Sequence, residues 1–189
     1  MPKLIEDARG KILAAVRAQI QTEGWEALAL RTIAARAGIA QGTIYNYFSS
    51  REEIAFTVVG EDFEALLSRV ASLPECEETT KVAMSRLFGE LQAFMAVYRR
   101  IWEEGGFAIF PQGRHLHQKS MGSSEGEILA ILKRILSRRK VAAGLDREFV
   151  MDLIGHAFIR IGRSSQGSCD ALFPIIDRLL EAETLGTKE

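Results

Sequence analysis

The chain is poor in the residues that staple or metallate small proteins. Two cysteines, Cys76 and Cys169, and three histidines are spread over 189 residues. The cysteines are far apart and show no C-x-x-C or other ligand spacing, which excludes a disulfide framework or zinc ribbon and suits a reducing compartment. His115 and His117 stand two apart, a spacing that on a helix points to different faces, so no metal site is expected there. No apolar run is long enough to span a bilayer. The first one stops at Arg17 behind an acidic start, so no signal peptide is expected and the protein is read as cytoplasmic, without a membrane partner. Lys and Arg number 24 against 25 Asp and Glu, a net charge of −1 that excludes a general nucleic-acid coat protein. Catalytic signatures are missing as well: no G-x-S-x-G, no H-E-x-x-H, no glycine-rich phosphate loop, and no Cys or Ser with an obvious base partner. Neither an enzyme nor a cofactor is expected.

What the chain has is apolar residues at helical spacing. At 47% hydrophobic it can bury a real core, with room for one small and one larger helical unit. Neither alternating strand patterns nor an Asn-Gly hairpin signal stands out, which predicts an all-α fold. Leu30, Ile33, Ala34 and Ala37 fall at i, i+3, i+4 and i+7, one stripe of a short helix. Gly38 then supplies the positive φ of a sharp turn. In the helix that follows, Ile44 and Phe48 face inward, leaving Gln41, Gly42, Thr43, Tyr45, Asn46 and Tyr47 outward. Amides pair with base edges, a glycine permits close approach, and hydroxyls donate to phosphate oxygens, so this outward set suits a major groove. No acid interrupts residues 27 to 51, which carry Arg31, Arg36 and Arg51 and make a local positive strip. A buried helical hairpin whose tyrosines merely pack is the competing reading.

From Ile12 to Ile54 the chain resembles the DNA-binding domain of the tetracycline-repressor (TetR) family of bacterial transcription regulators. The likeness rests on Ile12-Leu13, Ala15, Glu23-Gly24-Trp25, Ile33-Ala34, Ala37-Gly38-Ile39, Gly42-Thr43, Tyr45, Tyr47-Phe48 and Arg51-Glu52. The resemblance implies a helix-turn-helix domain over 1–52, then a helical ligand-binding and dimerisation domain over 53–189, about nine helices in all. It implies a homodimeric, ligand-responsive repressor on a near-palindromic double-stranded DNA operator, with base reading by Gln41, Thr43, Asn46 and Arg31, and Thr32 in support. Phosphate anchoring would fall to Tyr45, Tyr47 and Arg51, with Gly42 admitting the duplex. Relatives usually cap the two helices of the motif with Thr and Ser; here Ala29 and Ala40 stand instead, each a weakened cap. Gln19 and Ile20 replace Leu and Phe. An adaptor or small-molecule-binding protein that has lost operator binding is the alternative, and a helical enzyme a more distant one.

Downstream, helices are expected over about 53–71, from Thr79 or Thr80 to about Glu104, up to about Lys140, from an Asp146 cap to about Ser165, and over about 171–182. A short helix with Phe107 and Phe110 and a loop over 121–124 complete the pattern. Met84, Phe88, Met95, Tyr98, Trp102, Phe107 and Phe110 are candidates to line a site for a small apolar or amphipathic effector, although core packing explains them equally well. Leu153, Ala157, Phe158 and Ile161, with Phe173, Ile176 and Leu180, form two apolar faces suited to half of a four-helix bundle between subunits, or to an internal core. Gly155 and Gly162 allow close helix approach. The basic run Lys133, Arg134, Arg138, Arg139 and Lys140 is either a second DNA or membrane surface or, as is more common, a solvated helix end.

Overall fold

The computed structural model describes residues 7–25, 27–76, 79–103, 125–164 and 167–182, with the backbone alone for 99–103. The element order is α1 (Ala8–Glu23), α2 (Leu30–Ala37), α3 (Gln41–Ile44), α4 (Arg51–Val70), a 3-10 turn (Leu73–Glu75) and α5 (Thr80–Glu103). Then come α6 (125–136), α7 (Arg147–Gly162), a second 3-10 turn (Cys169–Leu172) and α8 (Phe173–Leu179). The fold is all-α; among the described residues one isolated antiparallel bridge joins Val141 to Leu180. Trp102 belongs to α5 by its backbone, whereas Phe107, Phe110, His115, His117 and the loop over 121–124 lie outside the described residues.

The chain divides into two compact units, one of Met1–Phe63 with Val97–Gln118 and one of Glu64–Ala96 with Lys119–Glu189. The division falls inside α4 and inside α5 rather than between helices.

In the first unit α1 opens at Asp7, whose carboxylate accepts from the Gly10 N–H at 3.1 Å, and buries Ile12, Leu13, Val16 and Ile20. Gly24, at φ 82°, ends it. Helix α2 buries Ile33, Ala34 and Ala37 and stops at Gly38, whose φ of 68° and ψ of 33° are the left-handed conformation expected of a glycine stop. Neither α2 nor α3 has a side-chain cap, because Ala29 and Ala40 occupy the cap positions. Helix α4 begins differently. Ser50 Oγ accepts from the Glu53 N–H at 3.1 Å, while the Glu53 carboxylate accepts from both the N–H and the hydroxyl of Ser49 at 2.6 Å. The first bond satisfies a donor that a helix start otherwise leaves open, and the two from Ser49 hold the Glu53 carboxyl below its ordinary range.

In the second unit Phe88 of α5 meets Phe158 of α7 edge to face, 5.4 Å between ring centres and 79° between planes. Both glycines of α7 serve packing within the chain. A methyl at Gly155 would lie 2.8 Å from Leu129 Cδ2 on α6, and one at Gly162 2.7 Å from Leu91 Cδ2 on α5. Asp146 caps α7 as expected, accepting from the Phe149 N–H at 2.8 Å.

Several boundaries differ from expectation. Helix α7 stops at Gly162 rather than near Ser165. The last helix is a 3-10 turn followed by a short α8, which ends because Leu180 turns extended and its neighbours pair with the segment after α6: Ala142 N–H to Leu179 O at 3.0 Å and Glu181 N–H to Lys140 O at 2.8 Å. The basic run is held within the chain. Lys133 pairs with Asp152 at 2.6 Å and Arg134 with Glu75. Arg139 pairs with Asp177 at 2.9 Å and donates to the carbonyls of Leu180 and Glu181. Arg138 donates to the carbonyls of Leu73, Pro74 and Cys76.

The faces expected to meet a second subunit also need correction. Phe158, Phe173, Ile176 and Leu180 are buried in this chain's own core, so they are not available to a partner. Leu153 is 47% exposed, and the other exposed apolar residues nearby in sequence are Leu145, Phe149 at 67% and Ile175; Ala157 and Ile161 are half-buried. Helix α7 carries apolar residues on two sides, Ile154 and Phe158 inward and Phe149 and Leu153 outward, and periodicity alone does not say which side faces the core.

Candidate nucleic-acid interface

The reading segment is shorter than its sequence suggests. After Gln41–Ile44 the chain continues as turns, with the N–H groups of Tyr47 and Phe48 both directed to Ile44 O at 3.0 Å. Ile44 and Phe48 are buried, at 0% and 4%, and anchor the segment from beneath. Tyr45 and Tyr47 stand outward at 55% and 43% exposure. Gln41, Gly42 and Asn46 are exposed and Thr43 is half-buried. A Cβ at Gly42 would meet no atom within 4 Å, so the surface there is open to an approaching molecule. On α2, Arg31 is exposed and Thr32 half-buried. The six outward residues of the segment thus lie over a two-residue apolar anchor, as a helix-turn-helix requires.

The positive strip is less available than the sequence implied. Arg36 pairs with Glu23 of α1. Arg51 is turned onto the domain: its guanidinium lies 5.0 Å from the centre of the Trp25 ring, and Nη1 donates to Leu28 O at 3.2 Å. A cation over an indole face is held by the ring quadrupole, so Arg51 links the start of α4 to the turn after α1. Gln19 does similar work. Its buried amide donates to Ala27 O at 2.8 Å and to Glu23 at 3.2 Å, bonds that a leucine at this position could not make.

A network that sequence reasoning did not find joins α1 to α4 and α5. Arg17 Nε donates to Asp62 Oδ1 and Nη2 to Glu61 Oε2, both at 2.6 Å. Arg9 Nη1 reaches Glu61 Oε1 at 3.0 Å. Burial alone would raise the Glu61 carboxyl, but the bonds from Arg17 and Arg9 outweigh it and hold it below its ordinary value. Tyr98, a candidate for ligand contact, is 2% exposed and donates its hydroxyl to Asp62 Oδ2. The adjacent acids Glu61-Asp62 were the available signal, but their partners lie 36 to 52 residues away on two other helices. Of the other effector candidates with described side chains, Met84, Phe88 and Met95 are buried in the second unit.

Two short helices around a glycine turn, braced by α1 and followed by a long helix, define a helix-turn-helix protein. Residues 12–58 match the family model described as "Bacterial regulatory proteins, tetR family". The matched stretch runs from α1 into α4 and takes in the helix-turn-helix, so over these residues the chain is similar to the TetR family of transcriptional regulators. It is 35% identical over 69 residues to the HTH-type transcriptional repressor KstR of Rhodococcus jostii (strain RHA1), 36% of this chain and 32% of that protein. The chain therefore matches about a third of the length of its curated relatives. A TetR transcription regulator from Haloarcula marismortui superimposes with a TM-score of 0.72 at 12% identity, over 94% of this chain and 100% of the other. The transcriptional regulator FadR of Bacillus subtilis, solved with stearoyl-CoA, gives 0.61 at 20% identity over 82% and 83%. These structures share the fold along the chain.

Proposed function

We propose that the chain is a cytoplasmic, homodimeric repressor that binds a near-palindromic operator through the helix-turn-helix over 1–52 and responds to a small apolar or amphipathic effector held by the helices over 53–189. The observation that carries this reading is the exposed set Gln41, Gly42, Tyr45, Asn46 and Tyr47 over buried Ile44 and Phe48, on the stretch that matches the family. In this reading Gln41, Thr43 and Asn46 contact base edges with Arg31, and Thr32 supports them. Tyr45 and Tyr47 anchor phosphates. Arg51 contributes by holding the start of α4 on Trp25 as well as by its charge.

The dimer reading is supported by the outward apolar residues Phe149, Leu153 and Ile175, to which half-buried Ala157 and Ile161 add. Two reading segments about 34 to 36 Å apart would meet successive major grooves on one duplex face. The effector reading is supported by buried Met84, Phe88 and Met95 and by the long-chain acyl thioester in the Bacillus subtilis relative. Because α4 runs through both units, an effector that biases it would change operator binding. Moving the competent population from 99% to 1% takes about 5.5 kcal/mol of differential affinity.

Selection of bound duplexes from a random pool at moderate salt tests the reading. Recovery of a two-fold-related site is expected. Gln41→Ala should then cost about 1 to 3 kcal/mol at one base step and leave random duplexes untouched. Failure to enrich any such site would favour an adaptor that has lost operator binding. Phe149→Asp and Leu153→Asp should shift the sedimentation coefficient from dimer to monomer.

A further inference from the structure

We propose that Tyr98 is a positioning residue for the reading segment, acting from α5 through Asp62, Arg17, Glu61 and Arg9 onto Phe48; this rests on the DNA-reading role above. The path is contiguous. The Tyr98 hydroxyl donates to one oxygen of Asp62, and the other oxygen accepts from Arg17 Nε at 2.6 Å. Arg17 Nη2 passes to Glu61 at 2.6 Å, and Glu61 accepts Arg9 Nη1 at 3.0 Å. The Arg9 guanidinium lies 5.8 Å from the centre of the Phe48 ring. Phe48 closes the reading segment directly after Tyr47, with its N–H on Ile44 O at 3.0 Å.

The chemistry of the links makes this more than a chain of neighbours. Every polar link carries at least one formal charge, and such bonds are shorter and stronger than neutral ones. The side chains of Arg17, Glu61 and Asp62 are 27% to 34% exposed, so solvent screens them less than it screens open surface pairs. Each group is also shared: Arg17 spans both acids, and Glu61 spans both arginines. Moving one member therefore re-aims the next. Tyr98 is the member supplied from outside the α1–α4 run, two residues past the Ala96/Val97 division of α5, whose Met84, Phe88 and Met95 belong to the second unit. A shift of α5 that withdraws the Tyr98 hydroxyl leaves Asp62 to Arg17 alone, draws Arg17 away from Glu61, and changes how Arg9 seats Phe48.

The test uses the full chain and a duplex recovered by the selection above. Tyr98→Phe keeps the ring and removes the donor; Glu61→Gln keeps an acceptor and removes the charge. We expect Tyr98→Phe to weaken the recovered duplex by about three- to tenfold, with an unchanged salt slope because no phosphate contact is lost. The double variant should lose little more than either single one, the sign of a shared path. Amide exchange at Tyr47 and Phe48 should quicken in Tyr98→Phe while α7 is unaffected, a selective change that a general loss of stability does not give. Wild-type affinity in Tyr98→Phe, or strictly additive losses, overturns the proposal. Should the wild type enrich no duplex, the operator reading falls by itself and exchange decides: faster exchange at Tyr47 and Phe48 supports the path, and unchanged exchange overturns it.

Discussion

Ala29→Ser restores what the structure shows to be missing at the start of α2. Ala29 has φ −122° and ψ 128°, within the extended region that cap residues use, and accepts the Ile33 N–H at 3.0 Å through its carbonyl. The N–H groups of Leu30, Arg31 and Thr32 have no carbonyl one turn back to donate to, and a serine hydroxyl at the cap can accept from the last two positions. Ala29 is exposed, so the hydroxyl enters without displacing packed atoms. The expected gain is about 1 kcal/mol, within the span of about 0.5 to 2 kcal/mol measured for such caps. In thermal unfolding this is about 2 to 4 °C if the chain melts as one unit, or about 4 to 8 °C if the first unit melts alone. Urea titration followed by circular dichroism should show a higher midpoint at constant slope. Ala35→Ser is the control: it puts the same hydroxyl on the exposed interior of the same helix, where serine costs about 0.5 kcal/mol. Equal effects of Ala29→Ser and Ala35→Ser would refute the argument that the cap position is what α2 lacks.

Other outcomes follow from the packing and the ionic contacts. Gly162→Ala places a methyl 2.7 Å from Leu91 Cδ2 and should cost about 1 to 3 kcal/mol by overpacking, read from the urea midpoint, with partial recovery when Leu91→Val is added. Arg51→Ala removes the contact with Trp25 and the bond to Leu28 O and should destabilise by about 1 to 2 kcal/mol; tryptophan fluorescence should report the loosened ring even without DNA. Glu61 and Glu53 have carboxyl groups held below the ordinary 4.5, so the stability they add is complete above that value and is lost as pH falls through their lowered folded values. In Glu61→Gln the drop in stability below about pH 4.5 should be shallower. Burial, with help from Asp170, pushes the Cys169 thiol up to about 12, so iodoacetamide at pH 8 should leave it unmodified until urea unfolds the chain.

The helix-turn-helix is legible in the sequence because its information is local. Four apolar residues at helical spacing and one glycine are enough to place α2 and its stop, and Ile44 with Phe48 fixes which side of the next segment faces inward. The length of α3 is not legible, since the passage from α-helix to successive turns after Ile44 changes no apolar position. The outer face of α7 escapes the pattern because both of its sides are apolar, and only the tertiary neighbours Leu129 and Leu91 at Gly155 and Gly162 decide between them. Arg51 reads as a free cation because the residue it covers, Trp25, precedes it by two helices. The Arg17–Glu61–Asp62–Tyr98 cluster has no periodic signature at all. It is assembled from three helices, and charge pairing across such separations follows from the fold rather than announcing it.

The clasp made by Arg138 gives the basic stretch at the end of α6 an unforeseen character. A single planar guanidinium there gathers the carbonyls of Leu73, Pro74 and Cys76, a fan of acceptors that a lysine ammonium on its flexible stem does not match. With Lys133, Arg134 and Arg139 likewise matched to acids, the densest concentration of cations along the chain acts as a buckle for the loops around it. Three of the five cations of that run are thereby matched to carboxylates, and Arg138 is committed to the backbone of the turn before α5.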